Sequence, residues 1–116
     1  LGRVDDATLA VVLAGAVALV YPTEYEGFGL PALEAQASGV PVVCARVGAL
    51  PDTLSGVAAW VDELTPTAIA AALAPVATNP TLRASLRDEG VKAAAARPGW
   101  DACVDAFTRA YRESVD

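Results

Sequence analysis

Two carboxylates, Glu26 and Glu34, are separated by seven residues that include a Gly-Phe-Gly turn. Glu26 precedes Gly27 and Gly29 in a loop that follows the apolar run at residues 17–21. Open α/β sheets bind their ligands at such strand ends. Gly27 and Gly29 allow backbone angles that side chains forbid and let the chain approach a ligand closely. The N–H groups near Phe28, Gly29 and Leu30, at the start of the next helix, lack intrahelical acceptors and suit phosphate or sugar oxygens. Glu34 falls about one turn into that helix, about 40° from Leu30 on the helical wheel. It therefore borders an apolar face expected of Leu30, Leu33 and Ala37. A carboxylate in that position needs donors, and ligand hydroxyls are candidates. The helix N-terminus also favours its charge. Acceptors for hydroxyls beside N–H donors for an anion fit a sugar phosphate. On spacing alone, an ordinary βα loop with an exposed Glu26 and a helix-dipole role for Glu34 is the alternative.

The elements that must position these groups are legible around them. Asp5 or Asp6 caps a helix over residues 6–14, ended by Gly15. Residues 17–21 and 41–45 read as strands covered on both faces, being unbroken apolar runs. Between them a helix spans residues 30–38, with Pro31 suited to its first turn and Gly39 to its stop. Strand, helix, strand in that order is the βαβ unit of a parallel sheet. A short helix at 51–55 and a third strand at 58–61 follow. Thr65 and Pro66 start a helix that Pro75 should break or kink near Leu73 or Ala74. Asn79 and Pro80 start another, to about residue 96, and Gly99 separates it from an amphipathic helix over 100–115 that carries Ala102, Val104 or Asp105, Phe107 and Tyr111. The expected fold is α/β, a Rossmann-like parallel sheet with flanking helices and a helical C-terminus. Residues 1–116 form one partial domain, with the strands in 1–61 and helices in 62–116.

Composition removes several classes of function. With 54% hydrophobic and 19% charged residues the chain is far from disordered composition. A net charge of −6 with a single lysine, Lys92, offers no basic surface for nucleic acid. His is absent and Cys44 and Cys103 form no paired motif, so no metal site is expected. Both thiols are expected to be buried and free. The charge-free residues 9–22 are too short to span a bilayer and are expected to be a buried helix and strand. No secretory signal pattern is visible and a cytoplasmic setting is expected, with membrane association only through a longer protein. The missing initial Met points to sequence cut away upstream. Alanine and arginine richness points to a bacterial source.

Residues 22–43 as a run resemble the signature of the retaining GT-B glycosyltransferases of family four, the group 1 glycosyltransferases. The likeness lies in Glu-Gly-Phe-Gly-Leu-Pro, in Glu-Ala-Gln-Ala-Ser-Gly-Val-Pro-Val-Val, and in the later Val-Gly-Ala-Leu-Pro-Asp of residues 47–52. The resemblance implies the C-terminal part of a GT-B donor-binding domain. It assigns Glu26 to hydroxyls of the transferred sugar, as the catalytic contact, and Glu34 to the ribose of the nucleotide. Backbone at Gly27, Phe28, Gly29 and Leu30 would face the sugar and diphosphate. It further implies a nucleotide-diphosphate sugar donor, no cofactor and no bound metal, and an N-terminal acceptor-binding domain outside these residues. The family's Arg and Lys pair for the donor phosphates also lies upstream. Asp52 departs from the family's usual Glu, and a helix-capping role competes with any donor contact. Trp60 and Trp100 read as core or helix-docking aromatics, Tyr25 as lining the cleft or packing on the surface, and Gly48 as a turn or a close approach to the donor. A non-catalytic α/β interaction module, or a fragment of a GT-B phosphorylase or glycogen synthase relative, is the alternative function.

Overall fold

The Asp5 side chain accepts from the Thr8 N–H at 2.8 Å and so caps α1 (Asp6–Ala14), which ends at Gly15. The structure, a computed structural model, describes residues 2–115. After α1 come β1 (Leu19–Tyr21), α2 (Leu30–Ala37), β2 (Val42–Ala45), α3 (Leu50–Thr53) and β3 (Ala59–Val61). The helices α4 (Pro66–Thr78), α5 (Pro80–Ala95) and α6 (Trp100–Val115) complete an α/β fold. The three strands form one parallel sheet in the order β1-β2-β3, with Tyr21 opposite Cys44 and Cys44 opposite Trp60. Parallel neighbours need a crossover, and α2 supplies it between β1 and β2.

All four residues of the central strand β2 are buried because both of its faces are covered. Val42 and Cys44 point to one face, where Ala32 and Ala35 of α2 and Leu50 and Leu54 around α3 meet them. Val43 points to the other and packs with Val61 and with Val76 of α4. This two-sided cover is why the strands read as unbroken apolar runs. Burial pushes the Cys44 thiol up to about 11, against a smaller opposing effect of Arg46, so it stays a neutral packing group near neutral pH.

Gln36 fastens α2 to the loop before β3. It is buried, and its Nε2 donates to the carbonyls of Leu54 and Val57, each at 3.1 Å. Gly90 of α5 packs against this side chain so closely that a Cβ there would lie 2.9 Å from Gln36 Cγ. Alanine is the better helix former, yet Gly90→Ala is expected to destabilise the fold by about 1–3 kcal/mol, because the doubly anchored Gln36 cannot yield. Chemical denaturation followed by tryptophan fluorescence measures this; a stabilised variant would refute it.

Four expectations change in three dimensions. Helix α4 runs through Pro75, whose missing N–H would have bonded to Ala71. The turn persists because Val76 is wholly buried and the Asn79 N–H closes onto the Pro75 carbonyl at 2.9 Å. Helix α1 buries no residue and Val11 is 73% exposed, since α1 precedes the edge strand of the sheet and gains no covering layer among the described residues. Cys103 is exposed on α6, which likewise buries nothing, so only Cys44 is the buried thiol expected of both. Trp100, expected to dock, is 84% exposed beside Val104, Phe107 and Tyr111 on the same helix. Trp60 does pack on the core, donates from Nε1 to the Gly56 carbonyl at 3.2 Å, and carries the Arg46 guanidinium over its ring at 4.4 Å. Among the described residues no helix is long and apolar enough to cross a membrane.

Candidate functional site

Strand β1 ends at Tyr21, and Pro22, which has no N–H for the ladder, releases the chain into the loop that carries Glu26. This loop lies at the C-terminal edge of the parallel sheet. The Thr23 hydroxyl donates to the Tyr25 carbonyl at 2.8 Å and closes its first part. Its second part is fixed from outside, by the turn after β2: the Ala49 N–H donates to the Glu26 carbonyl at 3.0 Å. The two backbones approach so closely at Gly48 that a Cβ there would overlap the Glu26 carbonyl oxygen, and φ is +52°. The close approach at Gly48 is thus to the backbone of Glu26.

The Glu26 side chain is held as well. Tyr21 donates its hydroxyl to Oε2 at 2.6 Å, and the Phe28 N–H reaches Oε1 at a long 3.5 Å. The Tyr21 hydrogen bond is the largest cause holding the Glu26 carboxyl below its ordinary range. Desolvation opposes it, and the N–H groups of Phe28, Gly29 and Gly27 add to it. Tyr21 moves the opposite way, because the same bond and the adjacent carboxylate keep its proton on. Near neutral pH the pair is therefore a phenol donor and an ionised acceptor.

Gly29 is the residue preceding α2. It adopts φ +88°, and a Cβ there would strike the buried Leu50 side chain. It gives the helix start no side-chain cap, so the first N–H groups of α2 face the loop without a capping acceptor. Pro31 stands in the first turn, as its fixed φ favours.

The helical wheel, in contrast, turns. The buried face of α2 is Ala32, Ala35 and Gln36, while Leu30 is 58% exposed and Ala37 and Glu34 are exposed too. Small residues face the sheet because α2 packs close to it. The larger Leu30 is left on the open side with Glu34, which therefore shares an accessible face with Leu30 and does not border the core. Glu26, Gly27, Phe28 and Gly29 thus lie in one loop, with Leu30 as the first residue of the helix that this loop starts and Glu34 about one turn further on.

Asp52 lies inside α3, whose capping position is Ala49, so the side chain is exposed and does not cap. Tyr25 is 77% exposed at the loop surface. Two participants escaped the sequence reading. Tyr21 had a faint signal, a phenol closing an otherwise aliphatic run five residues before Glu26. Arg97 had none: from the end of α5 its Nη1 donates to the carbonyls of Asp52 at 3.2 Å and Thr53 at 2.6 Å, and its guanidinium lies 5.4 Å from the Phe28 ring centroid. It ties the C-terminal carbonyls of α3 to the aromatic tip of the Glu26 loop.

The chain is similar to known proteins. Residues 1–93 match the family described as Glycosyl transferases group 1. The chain is 37% identical over 112 residues to the O-antigen chain mannosyltransferase B of Escherichia coli, covering 97% of this chain and 29% of that protein. It is 43% identical over 118 residues to a D-inositol 3-phosphate glycosyltransferase of Saccharomonospora viridis, covering 92% of this chain and 25% of the relative. Among solved structures, a sucrose-phosphate synthase from Thermosynechococcus elongatus superimposes with a TM-score of 0.83 at 31% identity, over 99% of this chain and 29% of that one. The sequence therefore spans less than a third of each of these proteins. With its βαβ unit and Glu26 loop matched along nearly its whole length, the chain belongs to the group 1 glycosyltransferases.

Proposed function

We propose that the chain is the C-terminal part of the donor-binding domain of a retaining GT-B hexosyltransferase of family four. The parent would bind a nucleotide-diphosphate sugar and pass its hexosyl group, with anomeric configuration kept, to an acceptor in glycan, glycolipid or polysaccharide synthesis. The observation that carries this reading is the placement of an ionised, doubly held Glu26 at the C-terminal end of a parallel strand. It is followed directly by an uncapped helix start, with Glu34 on the accessible face of that helix.

Glu26 accepts from hydroxyls of the transferred sugar, and Glu34 accepts from the ribose hydroxyls of the nucleotide. Backbone groups from Gly27 to Leu30 face the sugar and diphosphate. Charge grows on the departing diphosphate as its bond to the sugar carbon breaks, and fixed N–H dipoles at a helix start stabilise such charge. The donor is held by side chains and helix termini without a bound metal. The remaining length of the parent supplies the N-terminal acceptor domain and the phosphate-binding Arg and Lys.

Calorimetric titration of the full-length parent with nucleoside diphosphates tests the ribose assignment. Glu34→Ala is expected to weaken binding by about 1–3 kcal/mol, from lost hydrogen bonds to a charged acceptor. Equal affinities for variant and wild type would remove Glu34 from the site.

A further inference from the structure

We propose that Tyr21 is a positioning residue for this transferase, whose hydroxyl aims the Glu26 carboxylate at the donor sugar. The inference rests on the donor-site reading of Glu26.

Glu26 stands on a loop, and a loop carboxylate left to itself rotates about its side-chain torsions. Sites are more exact when such a group is locked by a neighbour on a rigid element. Tyr21 is that neighbour. It is the last residue of β1, paired in register with the buried Cys44 of β2, and its ring packs on the core cluster formed by α2, α3 and β2. Its hydroxyl reaches Glu26 Oε2 at 2.6 Å, the short distance of a charge-assisted bond. The Glu26 main chain is held independently by the Ala49 N–H at 3.0 Å. Two strand ends thus fix one glutamate, one through its backbone and the other through its carboxylate.

A purely packing role needs only the ring. The hydroxyl adds nothing to an apolar cluster, and the bond it makes is to Glu26. The groups that meet the Glu26 carboxylate are the phenol from β1 and the N–H groups of Gly27, Phe28 and Gly29 from its own loop, while the 48–49 turn meets only the Glu26 main chain. Among the described residues no charged side chain contributes to its ionisation. The tyrosine bond is the largest of these influences and favours the ionised form, so removing it moves the carboxyl back up toward its ordinary range.

The test compares wild type, Tyr21→Phe and Glu26→Ala in the full-length parent. Release of nucleoside diphosphate is followed against pH, using whichever of UDP-glucose, GDP-mannose and UDP-N-acetylglucosamine the wild type turns over, with thermal unfolding measured alongside. Phenylalanine keeps the ring in the core, so the unfolding midpoint is expected to stay. Turnover is expected to fall about tenfold, the worth of one hydrogen bond to a charged group, and the acidic limb of the profile is expected to move to higher pH. Wild-type turnover and an unmoved acidic limb in Tyr21→Phe, beside an impaired Glu26→Ala, would overturn the positioning role and leave the donor site standing. Reduced turnover with a lowered unfolding midpoint and an unmoved limb would do the same, since it marks packing alone. Full turnover in Glu26→Ala would bring down the donor-site reading itself, and this inference with it.

Discussion

Replacing Glu26 by alanine is expected to lower turnover of the full-length parent by roughly 100- to 1,000-fold, the range for removing one aligned polar contact to the reacting group. The size follows from how the residue is held. Its carboxylate is ionised, oriented by Tyr21 and fixed at the end of β1, so little reorganisation is needed when the sugar arrives. The variant is expected to keep its unfolding midpoint, because the side chain contributes nothing to either core cluster. Initial rates at saturating donor, with unfolding as the control, measure both. Turnover within threefold of wild type, roughly the effect of an ordinary surface change, would show that Glu26 takes no part in the reaction.

The second large effect is expected at Gly48 and is one of stability. Gly48→Ala places a Cβ onto the Glu26 carbonyl oxygen and within 3.0 Å of its nitrogen, at a φ of +52°. Strain in the left-handed region costs about 1–2 kcal/mol. Overlap with packed backbone adds about 1–3 kcal/mol, for a total loss of roughly 2–5 kcal/mol. Gly56 separates the two contributions. It also has positive φ, +76°, but nothing lies within 4 Å of a Cβ there. Gly56→Ala should therefore lose only the conformational part, about 1–2 kcal/mol. Denaturant unfolding of both variants decides the matter: equal losses would mean that the contact between the 48–49 turn and the Glu26 loop is not tight. Activity of Gly48→Ala should fall further than its stability loss accounts for, because that contact also sets where Glu26 stands.

The same loop marks the boundary of what local sequence conveys. Pro22 after an apolar run, two glycines, and Pro31 at a helix start are local chemistry, and they place Glu26 on a loop and Glu34 on a helix without reference to the rest of the chain. The order of strand, helix and strand likewise calls for a parallel crossover, and the observed sheet of three parallel strands has it. Proline 75 is where local preference loses: a residue that weakens an isolated helix is tolerated when the next one, Val76, is wholly buried.

The orientation of α2 is the clearest case of a property that periodicity leaves open. Leu30, Leu33 and Ala37 form a more hydrophobic stripe than Ala32, Ala35 and Gln36, yet the second set faces the core. Close approach of a helix to a sheet favours small side chains, and Gln36 is admitted because two carbonyls and the bare Gly90 receive it. Those partners lie 18 or more residues away along the chain, so no window of the sequence contains them.

The dihedral and burial preferences of neighbouring residues are enough to fix the α/β order of the elements and to set the two glutamates on either side of a glycine turn. Packing settles which face of α2 is open, that Tyr21 grips Glu26, that Gly48 seats against the Glu26 backbone, and that Arg97, just after α5, reaches Phe28. Each of these joins groups from different elements, and their distances are set by how the sheet and its helices pack.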